Sequence, residues 1–245
     1  MNWILLRGLG RDREHWGRFH ELMAEVVGTA NIHCIDLPGS GDFHERQAPL
    51  FMRAYTRHVV EQARDITPPY SVIGLSLGGM VAIDWAQSLG AERITRLVLI
   101  NTSSRFSPFY QRARFSLYRN LPAFLLQPAP ETRERRTLAI TSNMHADDTE
   151  LLAQWIDIQT RRPVSRMNLL RQLIAASRFR PADRAPGCQG LILTSRMDRL
   201  VNPNCSETLA ERWNWPMEMH PSAGHDLPLD DPEWVIDKIG AKSKT

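Results

Sequence analysis

The chain has 245 residues, 42% of them hydrophobic, and a formal net charge of +3. That is enough for one α/β domain with a full core. Its three cysteines, Cys34, Cys188 and Cys205, are odd in number and lack CxxC spacing. They indicate neither a disulfide framework nor a zinc site and are expected to be buried or idle thiols. The opening apolar run, Trp3-Ile4-Leu5-Leu6, is too short for a signal segment or a membrane span, so no membrane span and a cytoplasmic location are expected.

In chain order, six short runs rich in Ile, Leu and Val read as buried parallel strands: 3–6, 31–35, 70–73, 96–100, 190–194 and 216–220. Helical periodicity separates most of them, over 14–27, 50–66 and 80–89, with Gly28 and Gly90 as stops after two of these segments. Strand and helix in alternation imply right-handed βαβ units and a doubly wound, mostly parallel sheet. The alternation breaks after Asn101. Residues 106–180 show no strand pattern but do show helix starts at Pro130-Glu131-Thr132, Asp147-Asp148-Thr149-Glu150 and Pro163-Val164-Ser165. A stretch this long is not a plain loop. It predicts a helical lid, 105–184, inserted in a core formed by 1–104 and 185–245, with a polar tail at 241–245 that frays.

Charge is concentrated in that insertion, where 105–184 holds 14 Arg and 7 acidic residues against 16 basic and 20 acidic elsewhere. Lysine occurs only at 238, 242 and 244, and arginine suits bidentate binding of carboxylate or phosphate. The densest cluster, Arg133, Arg135 and Arg136, fits an acidic carrier protein, coenzyme A or an anionic substrate. It equally fits solvated helix faces. With no recognised motif or aromatic interleaving, nucleic acid is not an expected partner.

Gly74-Leu75-Ser76-Leu77-Gly78 follows a strand pattern and opens a helical one, the context of a nucleophile elbow. The turn is tight enough that its flanks must be nearly free of side chain, and Ser76 stands at its apex. A serine hydroxyl needs a base, and that base needs an orienting carboxylate. His225 follows the last strand, and Asp198 lies four residues beyond Thr194, both at the carboxyl edge of a parallel sheet. Asp226, Asp230 and Asp231 are rivals for the acid, but residues adjacent to a histidine cannot easily turn back onto its ring. The backbone N–H groups of Leu77 and of Leu9, in Arg7-Gly8-Leu9-Gly10, are the candidate oxyanion hole. The histidines at 15, 20, 33, 44, 58, 145 and 220 show no ligand spacing, so no metal and no cofactor are expected.

Taken together, Gly8-Leu9-Gly10 with Trp16, Asp36-Leu37-Pro38-Gly39-Ser40-Gly41, the Ser76 elbow, Asp198, and Gly224-His225 before Pro232 resemble the α/β-hydrolase family over nearly the whole chain. The resemblance implies that fold with its first hairpin absent, which would leave the 31–35 strand at a sheet edge open to pairing. Arg7 stands where family members usually have His. Within the family the chain is most similar to small lidded carboxylesterases, a group that includes an esterase of acyl-carrier-protein methyl esters in biotin synthesis. Arg136-Thr137-Leu138-Ala139-Ile140 resembles a substrate-lining stretch of that enzyme, which implies substrate contacts at Thr137, Leu138 and Ile140, with Arg133 and Arg136 beside them. Apolar residues of the insertion, Phe106, Phe109, Phe115, Leu138, Leu152, Trp155 and Leu169, are expected to line an acyl pocket or simply to pack together. The expected activity is cofactor-independent hydrolysis of a small-molecule or carrier-linked carboxylic ester through an acyl-enzyme. A thioesterase, a lyase on the same scaffold and a silent binding protein are the alternatives.

Overall fold

Side-chain alternation along the strands splits the core in two. In β1 (Asn2–Leu6) Ile4 and Leu6 join one hydrophobic cluster and Trp3 and Leu5 the other. In β4 (Ile94–Ile100) Leu97 and Leu99 part from Val98 and Ile100 in the same way. A strand buried on both faces needs helices on both faces. The computed structural model, which describes residues 1–88, 91–116, 119 and 129–240, supplies them. α1 (Gly17–Val27), α9 (Leu227–Asp230) and α10 (Pro232–Lys238) cover one face, while α2 (Met52–Gln62), α3 (Leu77–Ala86) and α8 (Asn204–Trp213) cover the other. Each fully buried Leu or Ile contributes about 1.5–3 kcal/mol relative to exposure.

The remaining strands are β2 (Ile32–Cys34), β3 (Tyr70–Leu75), β5 (Gln189–Ser195) and β6 (Met217–His220). All six pair in parallel, in the order β2-β1-β3-β4-β5-β6, so each of the six expected strands is present and β2 is an edge. From β1 the chain runs outward to β2, then returns to the other side of β1 for β3. The carboxyl ends of β1 and β3 therefore flank the point where the order reverses, the crevice in which open α/β sheets bind ligands.

Between β4 and β5 the described residues form helices: α4 (Phe109–Arg112), α5 (Pro130–Thr141), α6 (Thr149–Arg161) and α7 (Arg166–Arg178). Their starts follow local chemistry. Pro130 takes the first turn of α5, the Asp148 carboxylate accepts from Leu151 N, and the Ser165 hydroxyl accepts from Asn168 N. Gly90, prolines 122 and 128 and the tail 241–245 lie outside the described residues. No helix among the described residues is long and apolar enough to cross a membrane.

α7 is stitched to the core by polar side chains. Asn168 accepts from Ala48 N (2.9 Å) and donates to the carbonyls of His44 and Arg46 (3.0 Å each). Fully buried Gln172 accepts from Gly10 N (2.8 Å) and donates to Pro38 O (3.2 Å) and Ser40 Oγ (3.0 Å).

Candidate active site

The elbow forms because β3 must reverse into α3 within one residue. Ser76 takes φ 54° and ψ −115°, a conformation that costs of order 1–3 kcal/mol and persists only when its surroundings impose it. Here they do: Ser76 N donates to Ile100 O (2.9 Å), and its carbonyl accepts from Thr102 Oγ1 (2.7 Å) and Met80 N (3.2 Å). The flanking glycines are required by backbone approach. A Cβ on Gly74 would lie 2.6 Å from Gly79 Cα, and one on Gly78 would lie 2.1 Å from Leu6 O. The loop after β1 passes directly beside the serine, since a Cβ on Gly8 would stand 3.4 Å from Ser76 Cβ.

His225 and Asp198 meet as their strand-end positions require. His225 Nδ1 donates to Asp198 Oδ2 at 2.7 Å, with both residues buried. The other carboxylate oxygen, Oδ1, accepts from Leu200 N (2.7 Å) and Val201 N (2.9 Å), which fixes its direction. Burial alone would hold the imidazole below its ordinary pKa, but the adjacent Asp198 carboxylate outweighs it and the net displacement is upward. With Nδ1–H given to Asp198, Nε2 is the ring's free acceptor.

Each rival acid has other work. Asp226 binds Arg7 in a bidentate pair, and Arg7 in turn lies 4.8 Å from the Trp16 ring centre. Asp230 accepts from Gly224 N (2.6 Å), Asn143 N (3.0 Å) and the Ser142 hydroxyl. Asp231 accepts from His220 Nε2 (3.1 Å) and caps α10 at Trp234 N (2.9 Å).

Asn101, at φ 45°, was not anticipated. Its Nδ2 donates to Ser195 Oγ (3.0 Å), Gly224 O (3.3 Å) and His225 O (2.8 Å), and its Oδ1 accepts from Ser195 N (2.9 Å). One side chain thus ties the end of β4 to the end of β5 and to the histidine loop. An Asn directly after a strand that ends in Ile100 was the available signal.

Ser76, His225, Leu9 and Leu77 line one cavity of about 180 Å³ at the order reversal between β1 and β3. Neither Leu9 N nor Leu77 N has a hydrogen-bond partner among the described residues. From α5, Arg133, Thr137 and Ile140 reach the cavity, together with Glu134 and Thr141. Two of the residues expected beside them do not. Leu138 is buried in a separate cluster with Leu152, Trp155 and Ile158, and Arg136 is exposed. Helical spacing explains the split: 133, 134, 137, 140 and 141 share one face, which 136 and 138 leave.

The expected acyl lining also needs correction, for of the seven apolar residues named only Leu169 lines the cavity. Phe106 packs edge-on against Trp213, while Phe109 and Phe115 are 72% and 78% exposed. Arg135 forms an i,i+4 pair with Glu131 on the surface. The apolar wall comes instead from Leu9, Met80, Leu173, Ala176, Leu200 and Val201, and polar groups that the sequence did not single out stand among them: Arg11, which pairs with buried Glu134, then Gln159 and Arg112. The three cysteines are free, and burial raises their thiols to about 12 at Cys34 and about 11 at Cys188 and Cys205. No group of three His, Cys, Asp or Glu side chains among the described residues has metal-binding geometry.

A model described as the alpha/beta hydrolase family matches residues 3–238. The pimeloyl-[acyl-carrier protein] methyl ester esterase of Photobacterium profundum is 30% identical over 105 residues, 42% of this chain and 38% of that protein. Its counterpart in Xanthomonas oryzae is 32% identical over 92 residues, 38% of this chain and 34% of that protein. The chain therefore matches little more than a third of these curated relatives' length. Among solved structures, the enol-lactonase from Burkholderia xenovorans LB400 superposes with a TM-score of 0.75 at 17% identity, covering 98% of this chain and 90% of that one, a likeness of fold. With the family match spanning nearly the whole chain and a parallel sheet that places elbow, acid and histidine on one edge, the protein belongs to the alpha/beta hydrolase family.

Proposed function

We propose that the protein is a serine hydrolase that cleaves a carboxylic ester through an acyl-enzyme. The observation that carries this reading is the 2.7 Å bond from Asp198 to His225, which lines one cavity with Ser76 at a strained elbow. Ser76 Oγ attacks the acyl carbon as His225 Nε2 takes its proton, and negative charge collects on the former carbonyl oxygen. The N–H groups of Leu9 and Leu77 receive that oxyanion. The alcohol leaves with the proton from His225. A water molecule, deprotonated by the same imidazole, then hydrolyses the acyl-serine and regenerates Ser76. Asp198 fixes the ring's tautomer and stabilises its charged form. The helices α5 and α6, which contribute Arg133, Glu134, Thr137, Ile140, Thr141 and Gln159 to the cavity wall, act as the lid. The curated relatives are named for a methyl ester on a carrier protein, and a small alcohol leaving group is the form assigned here.

Incubation with a p-nitrophenyl ester series and a serine-directed phosphonate tests this. Burst release of p-nitrophenol and labelling of Ser76, both lost in Ser76→Ala, are expected. A wild-type protein inert to every ester and to the phosphonate overturns the proposal.

A further inference from the structure

The charge inventory of the cavity is unbalanced. Arg7, Arg11, Arg112 and Arg133 line it, against Glu134 and Asp226. Arg7 is matched by Asp226 and Arg11 by Glu134, each within a buried pair. Arg133 has only a share of Glu134, 3.7 Å from its Nε, and is otherwise held by Gln159 Oε1 (2.8 Å) and Val164 O (3.2 Å). Arg112 has no acidic partner among the described residues. Its Nη2 and Nη1 donate to the carbonyls of Ala176 (2.6 Å) and Ser177 (3.0 Å), and its Nε is buried with no partner.

Capping the carboxyl end of α7 accounts for two of the guanidinium's five donors. A solvated arginine would cap equally well, so capping does not explain why this cation borders an apolar cavity. The same cavity is lined by Leu173, Ala176, Leu200 and Val201. Placement is firm. Asn202 N donates to Gln111 O and Arg114 N to Leu200 O (2.8 Å each), so the segment carrying Arg112 runs along the loop that carries Asp198. Burial holds both Arg112 and Arg133 below the ordinary arginine value, the mark of cations short of counter-charge.

We propose that the ester substrate carries a carboxylate of its own, received at Arg112, so that the enzyme acts on short half-esters of dicarboxylic acids. One guanidinium presents one positive charge in a planar fork, which a monoanionic carboxylate matches. Arg112 and Ser76 line the same cavity of about 180 Å³, a space that fits a short acyl chain. The substrate class rests on the hydrolase reading, but the anion site does not, because binding can be measured without turnover.

The experiment compares monomethyl and dimethyl esters of succinate, glutarate and adipate, titrated calorimetrically into Ser76→Ala at neutral pH. The half-ester of the best-fitting length is expected to bind at least about tenfold tighter than its diester, the scale of a charge-assisted hydrogen bond. In Ser76→Ala/Arg112→Gln the ratio of the two affinities should fall to near one. Reading the ratio separates recognition from any general loosening of the pocket. Arg112→Lys, which keeps a cation at the end of α7, serves if the Gln variant does not fold, and should retain part of the preference. A ratio near one in Ser76→Ala, or a ratio unchanged by Arg112→Gln, overturns the proposal. If the ratio is high but wild type hydrolyses neither ester, the anion site stands and the hydrolase reading falls. If wild type hydrolyses diester and half-ester with equal kcat/KM, the hydrolase reading stands and the anion site falls.

Discussion

Arg7 and Asp226 clasp each other through two hydrogen bonds, Nη1 to Oδ1 at 3.0 Å and Nη2 to Oδ2 at 2.5 Å, with both side chains about 95% buried. The pair joins the residue before the Gly8-Leu9-Gly10 loop to the residue after His225. The proposed oxyanion donor and the proposed base are therefore held in register by one ion pair. Removing one partner leaves a buried charge, so Arg7→Ala or Asp226→Leu should each destabilise the fold by about 3–5 kcal/mol in urea unfolding. Arg7→Met/Asp226→Leu should lose less than either single variant. Additive losses would show that the two residues act independently.

Raising the pKa of His225 has a readable sign. The base must be neutral, so kcat/KM should fall on the acid side at a pH above the ordinary histidine value of 6.5. Asp198→Asn removes the carboxylate that outweighs burial, and the acid limb should move to lower pH while kcat drops on the order of 10³–10⁴. A limb that stays in place in this variant assigns the titration to another group.

Five hydrogen bonds converge on the side chain of Asn101, counting Thr194 Oγ1 at 3.3 Å. Asn101→Gly keeps the positive φ but strands these buried partners, with an expected cost of about 2–4 kcal/mol. Asn101→Ala should cost about 1 kcal/mol more, because a Cβ resists the left-handed region. Chemical denaturation of the two variants checks the order.

Glu14 sits between Arg161 and Arg162, and its hydrogen bond from Arg161 above all lowers its pKa to about 2 from an ordinary 4.5. A carboxylate with a depressed folded pKa stabilises the protein above its unfolded pKa and loses that contribution as pH falls toward 2. Because Glu14 is 38% exposed, solvent screening limits the effect to about 1 kcal/mol. Glu14→Gln should therefore lower the melting temperature at pH 7 and leave it near wild type at pH 2.

Close approach distinguishes two glycines. Gly78→Ala drives a Cβ into the Leu6 carbonyl, which is backbone and cannot swing away, so no folded protein is expected. Gly187→Ala meets nothing within 4 Å and should stay within about 0.5 kcal/mol of wild type.

The inner strands were legible because an apolar run in each ends at a turn, although His33, Glu218 and His220 interrupt the edge strands β2 and β6, and the placement of Ser76, Asp198 and His225 on one sheet edge was legible because each follows the end of a strand. What escaped the sequence depends on contacts across long separations. Gln172 reaches Gly10 from 162 residues away and Glu134 reaches Arg11 from 123, and neither lies in a local pattern that announces it. The aromatic residues of the insertion misled for a related reason. Composition says that apolar groups will be buried, whereas Trp155, Leu152 and Leu138 found each other between α5 and α6, and the apolar cavity wall comes instead from residues such as Leu9, Met80, Leu173 and Val201, with arginine, glutamine and glutamate among them.

Asn168 and Gln172 also bear on how such proteins can be recombined. Six hydrogen bonds from these two side chains run to the loops that follow β1 and β2. By its contacts α7 belongs to the sheet's own architecture, although the chain places it inside the insertion. A graft that exchanged 105–184 with a relative would cut all six and unseat Gly10 in the wall of the cavity it shares with the serine. One that stopped at Arg162 would leave them intact, so the natural seam for transplanting a new pocket roof lies before α7.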